Sequence, residues 1–229
     1  MSQLTQQIQY FEKPAPHFII DNFLSTIMAK QFLEESVKYK DKFIPADVGN
    51  SDTKYFDDCP ACKIQRNLNM LVKRRNDVLY LTHIEDLKNS ILSTGISSAI
   101  NDLSFKQFIE TTPSMFPIIN NTDSIEVILS RHGMCDFYGW HTDNTNDPIL
   151  MKRRVITIIY YFNTEPQKFT GGELILAYPT IATQKIIEPK HNRAIIFLSH
   201  TVHCVNTVKL ESDNFIDGRF AINYWVGFK

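Results

Sequence analysis

The run Trp140-His141-Thr142-Asp143-Asn144 places an imidazole and a carboxylate two residues apart. In an extended strand, side chains at i and i+2 leave the same face, so His141 and Asp143 can close on one ion. Two histidines late in the chain, His200 and His203, are candidates for a third ligand, and Arg219 follows them. With His203 the set becomes two histidines and one carboxylate on one face of an octahedron, which leaves three positions open. Those donors suit non-haem Fe(II) that must hold an organic chelate and oxygen. A structural zinc site would be closed by four protein ligands and richer in thiolate.

The elements that must position these residues divide near residue 120. The first half reads as mainly helical. Ser25 caps a segment through about Tyr39, with Ile27, Met28, Phe32, Leu33 and Val37 at helical intervals, and a second helix runs from about Ile84 to Leu103 with Gly95 weakening its middle. The second half changes period. Short β-branched and aromatic runs separated by Gly, Pro, Asn and Asp predict about eight strands, at roughly 124–131, 134–141, 154–163, 172–178, 183–188, 193–198, 202–208 and 219–227. The breaks at Pro14 to Pro16 and Thr112 to Pro117 read as connections.

A His-x-Asp tripeptide alone is a weak signal; its company is stronger. In order come Arg154-Val155-Ile156-Thr157-Ile158-Ile159-Tyr160-Tyr161-Phe162-Asn163, Gly171-Gly172-Glu173-Leu174, Ile187-Glu188-Pro189, Ala194-Ile195-Ile196-Phe197-Leu198-Ser199, His203-Cys204-Val205 and Arg219-Phe220-Ala221-Ile222-Asn223-Tyr224-Trp225. Over roughly residues 125 to 228 this series resembles the 2-oxoglutarate- and Fe(II)-dependent dioxygenases, in the prolyl 4-hydroxylase-like branch that includes the hypoxia-sensing enzymes. The resemblance implies a mainly β fold with N-terminal helices, the core being a double-stranded β-helix (jelly roll, cupin-like). Residues 121–229 form the catalytic core, and residues 1–120 form a helical and loop support region of the same domain.

The resemblance also assigns roles. It favours His203 over His200, because the motif sets a serine four residues before the ligand and a valine two after it, as Ser199 and Val205 stand. Arg219, at the start of the last strand, meets the C5 carboxylate of 2-oxoglutarate, for which a planar guanidinium is a bidentate partner. Tyr161 is the second contact to that carboxylate. Alternation sets Asn223 on the face of Arg219, near the co-substrate, with Trp225 packing the barrel floor. Tyr138 stands where the hypoxia-sensing branch has a tyrosine near the substrate opening. Arg131 stands where that branch has a tyrosine beside the C1 side of the co-substrate, with His132 next to it. The gap between His203 and Arg219 is longer than in the resembled enzymes, with Lys209 to Gly218 as an inserted polar turn. Fe(II), 2-oxoglutarate and molecular oxygen are the implied cofactors, with ascorbate as reductant. The implied reaction hydroxylates an unactivated C–H bond, with a prolyl residue in a protein or peptide as the favoured substrate. A free amino acid or other small molecule is the alternative within the enzyme class, and a non-catalytic jelly-roll binding module is the alternative outside it.

Bulk properties set limits. At 229 residues and 43% hydrophobic, the chain is long enough for one domain with a sizeable core. A net charge of -1 gives no global attraction to nucleic acid or membrane. Its longest apolar runs fall well below the roughly 18 residues of a spanning helix. The polar, glutamine-rich start does not read as a secretory signal. Four cysteines, Cys59, Cys62, Cys135 and Cys204, are too few for a disulfide scaffold and suit a reducing cytoplasm. Cys59-Pro60-Ala61-Cys62 lacks a second pair and reads as two free thiols. The segments 45–80 and 144–153 match the places that frame the substrate in the resembled enzymes. Each carries a basic cluster, Lys73-Arg74-Arg75 and Lys152-Arg153-Arg154, whose default reading is a solvated face.

Overall fold

The computed structural model describes residues 6–46, 74–81, 85–102, 124–144, 153–178 and 180–228. Cys59, Cys62, Lys73, His83, Lys152 and most of the 45–80 and 144–153 segments lie outside them. In chain order the elements are β1 (Gln7–Phe11), β2 (His17–Asp21), α1 (Thr26–Lys38), β3 (Ile44–Pro45), β4 (Arg74–Arg75), β5 (Asp77–Tyr80), α2 (Glu85–Lys88), α3 (Ile91–Ile100), β6 (Ser124–His132) and β7 (Phe137–His141). They continue with β8 (Arg153–Phe162), β9 (Phe169–Gly171), β10 (Leu174–Ala177), β11 (Gln184–Ile187), β12 (Arg193–Leu198), β13 (Val202–Val205), β14 (Val208–Leu210) and β15 (Arg219–Phe228). Among the described residues these strands make an eight-stranded sheet in the order β1-β2-β12-β8-β15-β6-β5-β3, a five-stranded sheet β11-β10-β13-β7-β4, and the pair β14-β9. Two facing antiparallel sheets with these crossings are the double-stranded β-helix.

Alternation sorts the large sheet into two cores. One face packs Phe18, Ile20, Ile156, Ile158, Tyr160, Phe162, Ile196, Phe220 and Ile222 against Phe32 of α1 and Leu92 and Ile96 of α3. The other turns Ile19, Ile159, Tyr161, Ile195, Phe197 and Ala221 towards Leu174 and Leu176 of the small sheet. Strands buried on both faces read as continuous apolar runs, which is why β8 and β12 stand out in the sequence.

The first half is less helical than its periodicity suggests. β1 and β2 form an antiparallel pair, and β2 lies directly beside β12. The partner that holds them is far along the chain, so no local signal declares them strands; long-range pairing overrides weak propensity. Ser25 does cap α1, its Oγ accepting from the Met28 amide at 3.3 Å. The buried stripe, however, is Ala29, Phe32 and Ser36, and Ile27 is 70% exposed. The second helix is broken at Asn89-Ser90 into α2 and α3. Ser90 takes an extended conformation and its hydroxyl donates to Leu87 O at 2.8 Å, the local bonding that favours serine at helix starts over helix interiors.

Gly95 is where α3 meets α1. A Cβ there would lie 2.8 Å from Cε2 and Cζ of Phe32, a ring fixed edge-on against Tyr160 and Phe162 at 5.3 and 5.6 Å between centroids. Gly95→Ala gains about 1 kcal/mol of helix propensity but overpacks the contact at a cost of about 1–3 kcal/mol. The net expectation is a lower urea midpoint in equilibrium unfolding, and a raised midpoint would show that Phe32 yields freely.

Candidate metal and co-substrate site

β7 ends in His141, the turn after it carries Asp143, and β13 runs antiparallel to β7 with His203 opposite His141. The pairing between β13 and β7 slips by one residue between His203 and Val205, setting Val205 opposite Tyr138. A bulge of this kind brings residues three apart onto one face, and the Tyr138 ring stacks on His141 at 3.6 Å between centroids and 14° between planes. On the other side Phe197 meets His203 edge-on at 4.9 Å.

The ligand atoms of His141, Asp143 and His203 all lie within 4.8 Å of one another, and their side chains are 6%, 8% and 3% exposed. His141 Nδ1 is 2.8 Å from Gly139 O, and His203 Nδ1 is 2.9 Å from Thr201 O. A carbonyl accepts only, so each Nδ1 carries the hydrogen and each Nε2 presents a lone pair. These two nitrogens face Oδ1 and Oδ2 of Asp143 at 3.6 and 3.5 Å. Burial lowers the His203 pKa to about 4, with His141 acting in the same direction, so the ring is neutral at neutral pH. Burial opposes ionisation of Asp143, and a proton on His203 or His141 would hold its carboxyl below the ordinary carboxylate range; with both Nε2 atoms bare, a bound cation takes that place. Two lone pairs and one anion aimed at a single point lack a cation, and the donor set fits Fe(II) with open positions. Behind Asp143, Thr157 Oγ1 donates to Oδ2 at 2.9 Å and contacts Ser199 Oγ at 3.0 Å. His200, the rival ligand, is exposed on the turn before β13. Cys204 is buried on the alternate face of β13, and burial pushes its thiol up to about 12.

Arg219 lies at the other end of the same interior face and is 2% exposed. Its Nε donates to Gly172 O at 2.7 Å, and its guanidinium sits 4.8 Å from the Tyr161 ring centroid. Among the described residues no carboxylate pairs with it, and the buried Tyr161 hydroxyl, beside the guanidinium, has no acceptor for its hydrogen. A buried cation beside an unpaired donor is costly unless an anion joins them, so the pair fits the distal carboxylate of 2-oxoglutarate. The two glycines build this pocket. Gly171 and Gly172 have φ of +74° and +70°, and a Cβ on Gly172 would stand 2.6 Å from Arg219 Cδ. Glu173 is structural, accepting from Asn206 Nδ2 at 3.1 Å.

Two residues depart from their sequence-based placement. Arg131 does not reach the pocket. It shares the face of β6 that carries Leu129 and Val127, donates from Nε to Phe215 O at 2.8 Å and approaches Asp77 at 3.5 Å. The reason is period two: its neighbour His132 takes the interior face, opposite Arg219 in register. Asn223 is on the interior face but midway along it, its amide donating to Ser130 Oγ at 2.9 Å. His132, in the strand that leads towards the site, takes the place given to Arg131: it is 3% exposed, with Nδ1 3.4 Å from Arg219 Nη1 and, among the described residues, no partner at Nε2. An acceptor at Nδ1 leaves the hydrogen on Nε2, making a third donor beside Tyr161 and Arg219. The alternation of β6 relative to Arg219 was the signal available for it. The inserted 209–218 stretch is less polar than it reads: β14 pairs with β9, and Phe215 packs edge-on against Phe220 and Phe43 at 5.5 and 5.3 Å.

The jelly roll and a facial triad with open positions define an oxygenase class, and comparison with known proteins agrees. Residues 127–227 match the model of the 2OG-Fe(II) oxygenase superfamily. An uncharacterized PKHD-type hydroxylase of Synechocystis is 26% identical over 97% of this chain and 67% of its own length. A Pseudomonas putida prolyl-4-hydroxylase superposes with a TM-score of 0.60 at 14% identity, covering 93% of this chain and 92% of its own. A Trichoplax adhaerens prolyl hydroxylase, solved with a hypoxia inducible factor oxygen degradation domain peptide fragment, gives 0.58 at 20% identity over 92% and 83%. Over residues 127–227 the chain is similar to the 2-oxoglutarate/Fe(II)-dependent oxygenase superfamily, and it has the fold of the prolyl hydroxylases on which it superposes.

Two measurements separate the ends of the site. Thr157→Val removes the hydrogen bond that orients Asp143 and is expected to weaken Mn(II) affinity about 10- to 100-fold, read by titration of the protein with the ion. Tyr161→Phe is expected to leave Mn(II) binding intact while weakening 2-oxoglutarate by about 1.5–3 kcal/mol, the worth of one hydrogen bond to a charged group. Gly172→Ala should displace Arg219 and weaken 2-oxoglutarate at least as much. Unchanged calorimetric affinity in both of the latter variants would move the distal carboxylate elsewhere.

Proposed function

We propose that this oxygenase hydroxylates a prolyl residue within a peptide or protein, with His141, Asp143 and His203 holding the iron and Arg219, Tyr161 and His132 holding the distal carboxylate of 2-oxoglutarate. The observation that carries the reading is the placement of the two clusters at opposite ends of one interior face, bridged by β8 and β15. Thr157, Ile159 and Tyr161 stand opposite Trp225, Asn223 and Ala221 along it. Bound together, iron and 2-oxoglutarate supply the oxidising power that converts C–H to C–OH, with O2 consumed and succinate and carbon dioxide released. The protein's work is placement. The imidazole Nδ1 hydrogens are tied to carbonyls so that each Nε2 points inward, Tyr161 donates to the co-substrate, and Leu174, Leu176 and Phe197 exclude water.

The peptide substrate is supported by the likeness to the Trichoplax enzyme, which was captured with a peptide, and by Tyr138 on the rim of the triad. Ascorbate belongs to the reading as the reductant that keeps iron ferrous. Cytoplasmic residence is supported by Cys204, a buried thiol outside any disulfide; no helix among the described residues is long and apolar enough to cross a membrane. Intact-mass screening of proline-containing peptides with Fe(II), ascorbate and 2-oxoglutarate is expected to find the gain of one oxygen atom, absent when 2-oxoglutarate is withheld and abolished in Asp143→Ala with the far-UV spectrum retained. Oxygen gained only by free amino acids would replace the peptide reading with the small-molecule one, and full activity in Asp143→Ala would remove the metal assignment.

A further inference from the structure

Most of the arginines whose side chains are described are neutralised. Arg75, Arg131, Arg154 and Arg193 approach Asp136, Asp77, Glu126 and Asp21 at 3.0, 3.5, 2.7 and 2.6 Å. Two have no carboxylate among the described residues: Arg219, which awaits the co-substrate, and Arg74. The sequence cluster around Arg74 is divided by the pleat of β4. Arg75 lies opposite Phe137 and turns to Asp136, whereas Arg74 lies opposite Tyr138. The guanidinium of Arg74 rests 4.8 Å from the centroid of the Tyr138 ring, and that ring is the one stacked on His141 at 3.6 Å. Arg74, Tyr138 and the iron ligand thus form one continuous stack leading outward from the metal.

Within the stack the orientation of Arg74 is fixed from behind. Its Nε donates to Asn76 Oδ1 at 2.6 Å, and Asn76 is 5% exposed and itself donates to Asp77 O at 3.2 Å. One edge of the fork is therefore anchored, the flat face is held by the aromatic ring, and among the described residues no carboxylate takes the terminal nitrogens. Arg74 is half-buried on the edge strand of the small sheet, so an incoming molecule can reach it.

From this geometry we infer that Arg74 is a specificity residue that takes a carboxylate of the substrate, close in the chain to the carbon that is hydroxylated. A guanidinium pairs a carboxylate in a bidentate, planar arrangement, and one anchored by Asn76 and Tyr138 loses less rotamer freedom on binding than a solvated arginine. The inference rests on the oxygenase reading and narrows its substrate: an Asp or Glu flanking the target residue in a peptide, or the α-carboxylate of a free amino acid.

The test uses the iron- and 2-oxoglutarate-loaded enzyme on two probe sets, reading the gain of one oxygen atom by mass. The first is proline-containing peptides that differ only in Glu, Gln or Lys beside the proline; the second is free L-amino acids and their carboxamides. The quantity compared is the ratio of kcat/KM for the charged and neutral member of each pair, which is internal to each variant and so insensitive to partial loss of folded protein. The wild type is expected to favour the carboxylate member by about 10-fold or more. Arg74→Gln should bring the ratio near unity, Arg74→Lys should retain part of it, and Arg74→Glu should reverse it in favour of a Lys-flanked peptide. A preference in the peptide set places the carboxylate on a flanking side chain, and one in the amino-acid set places it on the α-carboxyl. Turnover without preference in the wild type, or a preference that survives Arg74→Gln, overturns the inference while leaving the oxygenase reading intact. A wild type that oxygenates no member of either set overturns the substrate reading and this inference with it.

Discussion

A buried carboxylate that no positively charged side chain among the described residues meets governs this structure. Asp143 sits between two imidazoles whose hydrogens are turned away to backbone carbonyls, so the nearest nitrogens oppose it with lone pairs. Thr157 offers one hydrogen bond, which is small against the desolvation of a charge. Such a cluster is balanced when a divalent cation occupies its centre. The surrounding structure serves that arrangement: the slip between β7 and β13 brings Tyr138 onto the face of His141, and Ser199 and Thr157 fix the carboxylate from behind.

The second cluster mirrors the first in sign. Arg219 is a buried cation without a carboxylate among the described residues, supported by the Gly172 carbonyl, the Tyr161 ring and His132. An acceptor-rich end and a donor-rich end share the interior of one barrel, and the two strands that run between them are paired along their length. Stiff strands make the separation of the clusters a fixed quantity. A dicarboxylate with a chelating end and a free anionic end matches that polarity, which is the physical content of the family's co-substrate. The glycines at 171 and 172 are part of the same constraint, since any side chain at 172 would occupy the space of the arginine stem.

The long apolar strands and the convergence of His141 with Asp143 were legible in the sequence because both depend on short-range rules. β8, β12 and β15 are runs of branched and aromatic residues, and His141 with Asp143 obeys the two-residue repeat. Ser25 was legible as a cap for the same reason. β1 and β2 were not, because β2, on which β1 pairs, joins the sheet through β12, about 170 residues away in sequence as the Asp21–Arg193 pair shows, and short apolar stretches do not announce which element they will join. The position of Arg131 was misjudged by one residue, and in a strand one residue is the whole width of the sheet.

The sequence by itself determined the chemistry available: two histidines, one aspartate and one arginine in an order that an Fe(II) oxygenase can use, on strands whose alternation is written in their side chains. Only the tertiary structure decided which neighbours those groups have. It set His132 rather than Arg131 beside Arg219, split Arg74 from Arg75 across the faces of β4, and laid Arg74 on the ring that covers His141. Contacts of this kind depend on register between strands distant in sequence and on a bulge of a single residue. No local pattern encodes either, because the energy that selects them comes from burial of the two cores as a whole.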